Sequence, residues 1–186
     1  MVDNRTTRVL GALLVSMTLG ALILMLMENK SPRPGRRDMA AVVCKIVDKS
    51  WDNKSSDKRW KRVVVRTSAG DDSMPEKCHF VVYETPDKGI WVKPTDYWKN
   101  QIPGTHTYAN NYNADSIGVC IIGDFSKQKP SPKQFHALVS LVTHLQKLGG
   151  ISADRVIFER DLNIQNNDAK KYAQFPLDRF EELLKR

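Results

Sequence analysis

The chain has 186 residues, a formal net charge of +8 and a pI near 9.4. That is room for one domain plus accessories, with acidic partners such as lipid headgroups or anionic wall polymers favoured by the charge. No nucleic-acid motif occurs and the aromatics are not interleaved with the basic residues, which argues against nucleic acid; three widely spaced cysteines without C-x-x-C argue against a disulfide framework or a zinc knuckle.

Residues 1–8 form a short tail carrying Arg5 and Arg8. From Val9 to Met27 run 19 residues without a charge. As a helix they span roughly 28 Å, close to the hydrocarbon thickness of a bilayer. A cleaved signal peptide is the alternative, but its apolar region is usually shorter and ends in small residues. This run ends in Met-Leu-Met-Glu, so the sequence predicts an uncleaved single-pass anchor over 9–27. Lys30, Arg33, Arg36 and Arg37 follow it, and flanking charge alone leans toward a cytoplasmic C-terminus. Residues 28–38, with two prolines and a glycine, read as a linker to a domain over 39–186.

Ala40–Val47 is apolar, strand or helix, and the polar stretch after it reads as loop. Three valines, Val63 to Val65, predict a strand buried on both faces over Arg62–Thr67. It ends on Arg66, whose guanidinium needs partners for its five donors. Two more strands follow near His79–Glu84 and Ile90–Val92. Trp91, Tyr97 and Trp98 read as core, with a sugar-binding surface as the alternative. Residues 94–115, rich in asparagine, read as a long functional loop.

Residues 116–125, SIGVCIIGDF, predict another fully buried strand, with Cys120 as a small core residue. The clearest helix starts with Ser131 as N-cap, Pro132 in the first turn and Gln134 completing a capping box. Phe135, Leu138, Leu141, Val142, Leu145 and Leu148 form its apolar face, His136 and His144 fall off it, and Gly149-Gly150 ends it. A short strand at RVIFERD and an amphipathic helix burying Leu177, Phe180, Leu183 and Leu184 close the chain. Buried strands alternating with helices predict an α/β domain with a mixed central sheet flanked by helices.

The order CHFVVYETPDKGIW, GTHTYANNYNADSIGVCIIGDF, SPKQFHALVSLVTHLQKLGGI, VIFERD, FPLDRF resembles the zinc-dependent N-acetylmuramoyl-L-alanine amidases of the amidase-2 family, which includes T7-type phage lysozymes and peptidoglycan recognition proteins. The resemblance covers about Arg62 to Phe180. It is most specific at Gly104-Thr105-His106, Tyr112-Asn113 and Ser116 to Gly123. It implies a zinc ion held by two histidines and a cysteine, which polarises the scissile amide and activates water. It places these ligands at Arg66, Glu159 and Lys170, with Lys171 the neighbouring choice for the third. A tyrosine that assists catalysis falls at Cys78. Only ten residues, Ala69 to Cys78, stand where the family has a helix walling one side of the groove.

Arginine and lysine offer donors only, so two cations beside Glu159 repel zinc and pair with the carboxylate. The expectation is therefore an ion-pair cluster of Arg66, Glu159 and Lys170 in place of zinc, with no metal. Substrate contacts are expected at His106, Tyr112 and Asn113, although asparagine also caps tight turns, and His79 reads as a structural hydrogen-bonder. A new zinc site from Cys78, His79 and His106 is disfavoured, because adjacent strand residues face opposite ways.

The resulting expectation is an anchored domain that recognises peptidoglycan or a muramyl-peptide without hydrolysis. It would sit on the outer side of the cytoplasmic membrane, against the flanking-charge count. The alternatives are an active amidase with displaced ligands and a scaffold that uses the open groove for a protein partner.

Overall fold

The computed structural model describes residues 36–50, 60–68, 77–87, 89–162 and 168–185. The expected tail, the anchor over 9–27 and most of the linker lie outside them. Among the described residues no helix is long and apolar enough to cross a membrane. Contacts divide the chain into two units, Met1–Gly35 and Arg36–Arg186, and the described residues belong to the second.

The first helix, α1 (Arg36–Ser50), begins ahead of the domain boundary expected at residue 39 and settles Ala40–Val47 as helix; it buries Val43 and Val47. The sheet contains β1 (Arg62–Ser68), β2 (Phe80–Thr85), β3 (Gly89–Pro94), β4 (Ser116–Ile122) and β5 (Val156–Phe158), in the order β3-β2-β4-β1-β5. β4 pairs in parallel with β1 and β2, β5 joins β1 in parallel, and only β3 is antiparallel, to β2. The sheet is therefore mixed, as expected. Its central strands β1 and β4 are buried almost throughout, which is why they carry uninterrupted apolar runs.

Alternation assigns the two faces. Val63, Val65, Phe80, Val82, Ile117, Val119 and Ile121 point into the hydrophobic core. That core is completed by α1, α4 (Pro132–Gly149) and α6 (Leu177–Leu184). Each fully buried side chain of this size contributes roughly 1.5–3 kcal/mol. Phe125, Phe135, Phe158, Phe175 and Phe180 meet edge-on or tilted where α4 and α6 cover β5.

Several local expectations change. In α4 the Ser131 hydroxyl accepts from the Gln134 backbone N–H, and Gly150 closes the helix in the left-handed region at φ 62°. The capping box is only half made, because the Gln134 side chain donates instead to the Ile122 carbonyl at 2.8 Å and ties α4 to the end of β4. Leu148, placed on the apolar face by periodicity, is exposed one turn beyond the last core contact. His144 is half-buried and bonds Asp48 of α1 at 2.7 Å, so it links two helices. Trp98 is core as expected, but Trp91 is 44% exposed because Ile90 and Val92 take the inward positions of β3. The RVIFERD strand stops at Phe158; Glu159 already begins the short helix α5 (Glu159–Leu162).

Candidate functional site

The face of the sheet opposite the helical core carries Val64, Arg66 and Ser68 from β1, and Gly118 and Cys120 from β4, because these alternate with the core positions. Arg66 stands beside Cys120 in the parallel register. Glu159 follows β5 directly, and its carboxylate Oε2 lies 3.5 Å from Arg66 Nε, with the two side chains only 6% and 3% exposed. The pair sits at the carboxyl ends of the parallel strands, where open α/β sheets place their sites.

Lys170, the third member expected, does not join them. It is exposed, as is Lys171. The segment instead sends in Tyr172, which is buried and accepts the Thr67 backbone N–H through its hydroxyl at 3.2 Å. Burial, and next the nearby Glu159 charge, push the Tyr172 hydroxyl far above its ordinary value. A charged ammonium has solvent available a residue away, whereas the phenol buries its ring and keeps one hydrogen bond.

Cys78 is fully buried, close enough to the pair for both of its charges to act on the thiol. Its thiol is hydrogen-bonded with Cys120, and burial, that bond and the Cys120 charge push its pKa well up, so it stays protonated and lacks nucleophilic thiolate character. Neither cysteine is in a disulfide. Cys78 therefore fills space where the resemblance implies a catalytic tyrosine. Among the described residues no group of three or more His, Cys, Asp and Glu side chains could hold a metal ion.

His79 and His106 form a second buried cluster that fastens the loop after β3 to this face. The Gly118 N–H donates to His79 Nδ1 at 2.8 Å, so His79 carries its proton on Nε2, which faces the Ile102 carbonyl at 3.0 Å. His106 packs on Gly118 itself: a Cβ built there would lie 2.5 Å from His106 Nδ1. The Ser116 hydroxyl donates to the Tyr112 carbonyl, leaving its oxygen to accept from His106 Nε2 at 2.7 Å. His106 Nδ1 makes no hydrogen bond among the described residues. Asn113, at the end of α3 (Asn110–Asn113), accepts the N–H groups of His106 and Thr107, both at 3.1 Å, and donates to the Thr107 carbonyl at 2.8 Å.

These contacts revise the expected substrate set. His106 is fully buried and Asn113 nearly so, and both side chains are engaged in bracing the loop. Tyr112 is half-buried under the Arg62 guanidinium, 4.6 Å from its ring centroid, and Arg62 in turn pairs with Asp115. The expected loss of a groove-wall helix concerns residues 69–76, which lie outside the described ones. His79 is the structural hydrogen-bonder expected of it, whereas the part His106 and Asn113 play in the same brace was not foreseen. The available signal was the pair of glycines Gly104 and Gly118, both of which meet His106 where a Cβ would be.

A pH dependence follows. Burial, then the charges of His79 and Arg66, lower the His106 pKa from 6.5 to about 3. The unfolded chain takes up a proton below about 6.5 while the folded chain does not, so stability present above that pH is lost as pH falls toward 3. Between pH 6.5 and 5 the loss should reach about 2 kcal/mol. Urea unfolding across that window checks it, and His106→Gln should flatten the slope; an unchanged slope would place the titration elsewhere.

A family model described as N-acetylmuramoyl-L-alanine amidase matches residues 41–171. The chain belongs to this amidase family. Among solved structures, the endolysin N-acetylmuramoyl-L-alanine amidase LysCS from Clostridium intestinale URNW is similar at 16% identity and a TM-score of 0.47, over 68% of this chain and 86% of that one. The amidase LysC from the same organism gives 15% and 0.47, over 69% and 88%. A mutant structure of PlyL gives 16% and 0.50, over 68% and 85%, a likeness that concerns the fold alone. No curated protein matches the chain. Against the amidase pattern, Arg66 and Glu159 stand where the resemblance puts two zinc-binding histidines, and their ion pair does not fit zinc. A guanidinium has no lone pair to give, and its fixed charge opposes a dication.

Proposed function

We propose that this amidase-family domain binds peptidoglycan or a muramyl-peptide and does not cleave it. The family supplies the partner class, since its relatives are peptidoglycan amidases. The observation that carries the loss of hydrolysis is the buried Arg66–Glu159 pair, 3.5 Å apart. Amide hydrolysis in this family's manner needs an electrophile and an activated water at that point. Here the two opposite charges neutralise each other, and Cys78, which both charges influence, is a buried, protonated thiol. Recognition and catalysis are separable parts of a site. The charge-free run over 9–27 anchors the chain in the cytoplasmic membrane, and the location of the ligand puts the domain on its outer side.

The test uses the full chain in mild detergent with purified sacculi. Co-sedimentation at physiological salt, with no new L-alanine amino termini released with or without added zinc, is the expected result. Chelator-sensitive release would make it an active amidase with displaced ligands. Failure to sediment would favour a scaffold for a protein partner.

A further inference from the structure

A row of side chains crosses the face of the sheet away from the helical core, one step beyond the Arg66–Glu159 pair, running from buried Ser68 out to exposed Trp91. Ser68 of β1 lies beside Ile122 of β4. β2 pairs with β4 through Val82 and Ile121, so the same parallel offset sets Tyr83 beside Ile122. Tyr83 in turn faces Trp91 of β3. Alternation puts Ser68, Tyr83 and Trp91 on the face away from the core, together with Ile122. Three strand spacings make the row about 14 Å long, and two residues separate it by about 6.6 Å from the row containing Arg66 and Cys120.

The chemistry of this row is specific. Trp91 is a large exposed ring on an edge strand, and its plane lies within 12° of the Tyr83 ring, with centroids 6.4 Å apart. None of the four side chains carries a charge. At the other end Ser68, only 3% exposed, has a hydroxyl that makes no hydrogen bond among the described residues. Buried hydroxyls normally find a partner, so this end of the row keeps unused hydrogen-bonding capacity. A surface with aromatic faces along it and a hydroxyl at one end suits a neutral ring having apolar C–H faces and hydroxyl or amide edges. It offers no charged or donor-rich group to a phosphate.

We propose that the strip Ser68–Ile122–Tyr83–Trp91 binds the sugar chain of the wall polymer, with a sugar ring laid against Trp91. This inference rests on the peptidoglycan-binding reading and names which part of the polymer the exposed Trp91 end of the row takes.

The full chain, its Trp91→Ala variant and its Trp91→Tyr variant are compared on two matrices. One is intact sacculi; the other is glycan chains stripped of their peptides. Wild type should be retained on both. Trp91→Ala should lose about tenfold on stripped glycan, of the order that removing one stacking ring costs, and Trp91→Tyr should stay within about threefold of wild type. Both variants should keep the wild-type Tm, because Trp91 lies outside the core. Retention of wild type on sacculi but not on stripped glycan, equal retention of Trp91→Ala on stripped glycan, or failure of Trp91→Tyr to restore binding would overturn the strip and leave the broader reading standing. No wild-type retention on either matrix overturns both.

Discussion

Replacing Glu159 by glutamine is expected to destabilise the fold by roughly 3–5 kcal/mol, because it leaves the Arg66 guanidinium charged in a site with almost no solvent. Arg66 is fixed by its strand: it lies on β1 beside Cys120, with Val65 before it and Thr67 after it packed into the sheet. It cannot turn out to water without dragging that strand, and it cannot lose its proton. The pair itself is not a large net stabiliser, since removing both charges from water costs about as much as their attraction returns. The decisive comparison is therefore with a double replacement. Arg66→Met together with Glu159→Leu should recover most of the loss, because the neighbours that remain, Cys78 and Cys120, accept an apolar filling. Urea denaturation of the three proteins measures this. If Glu159→Gln costs less than about 1 kcal/mol, the range for exposed ion pairs, the pair is solvated and the picture of a sealed site is wrong.

Gly118→Ala should cost a similar amount through a different route. Gly118 is the contact point between the sheet and the loop after β3. Its N–H donates to His79 Nδ1, its carbonyl accepts the His79 N–H at 2.8 Å, and its missing Cβ leaves the place taken by His106. A methyl group there must push the His106 ring away from Ser116 and with it the Asn113 clasp that holds His106 and Thr107. Overpacking costs about 1–3 kcal/mol and a stranded buried hydrogen-bonding group about 1–3 more. Gly150→Ala is the control. It sits at φ 62° with open space around it, so it should lose only about 1–2 kcal/mol from left-handed strain. Equal effects at the two glycines would mean that the histidine brace does not hold the loop down.

What the sequence disclosed and what it hid follow one physical line. The central strands were legible because burial on both faces leaves continuous apolar runs, as in Val63–Val65 and Ile117–Ile122. Helix α4 was legible from its cap, its period and its terminal glycines. Arg66 and Glu159 were legible as a pair through the family pattern and charge complementarity. Lys170 was misplaced because the residues before it offer no pattern to fix the register, and two positions later a tyrosine could bury itself where an ammonium could not. His106 and Asn113 were hard to read as braces, His106 because its ring partner is a single serine hydroxyl; the partners of Asn113, like those of His79, are backbone groups, namely the loop amides, the Ile102 carbonyl and the Gly118 N–H. Such bonds leave no complementary residue in the sequence. Trp91 was readable in hindsight, since a strand that turns Ile90 and Val92 inward must turn Trp91 out.

The central claim is that the position where the family resemblance implies zinc is occupied by a self-neutralised ion pair. Thermal unfolding of the full chain with equimolar zinc and with EDTA tests it most directly, because an ion that binds the folded state raises its melting temperature by mass action. The account predicts coincident melting curves. A melting temperature that rises with zinc, falls on chelation and loses this response in Glu159→Gln would contradict it.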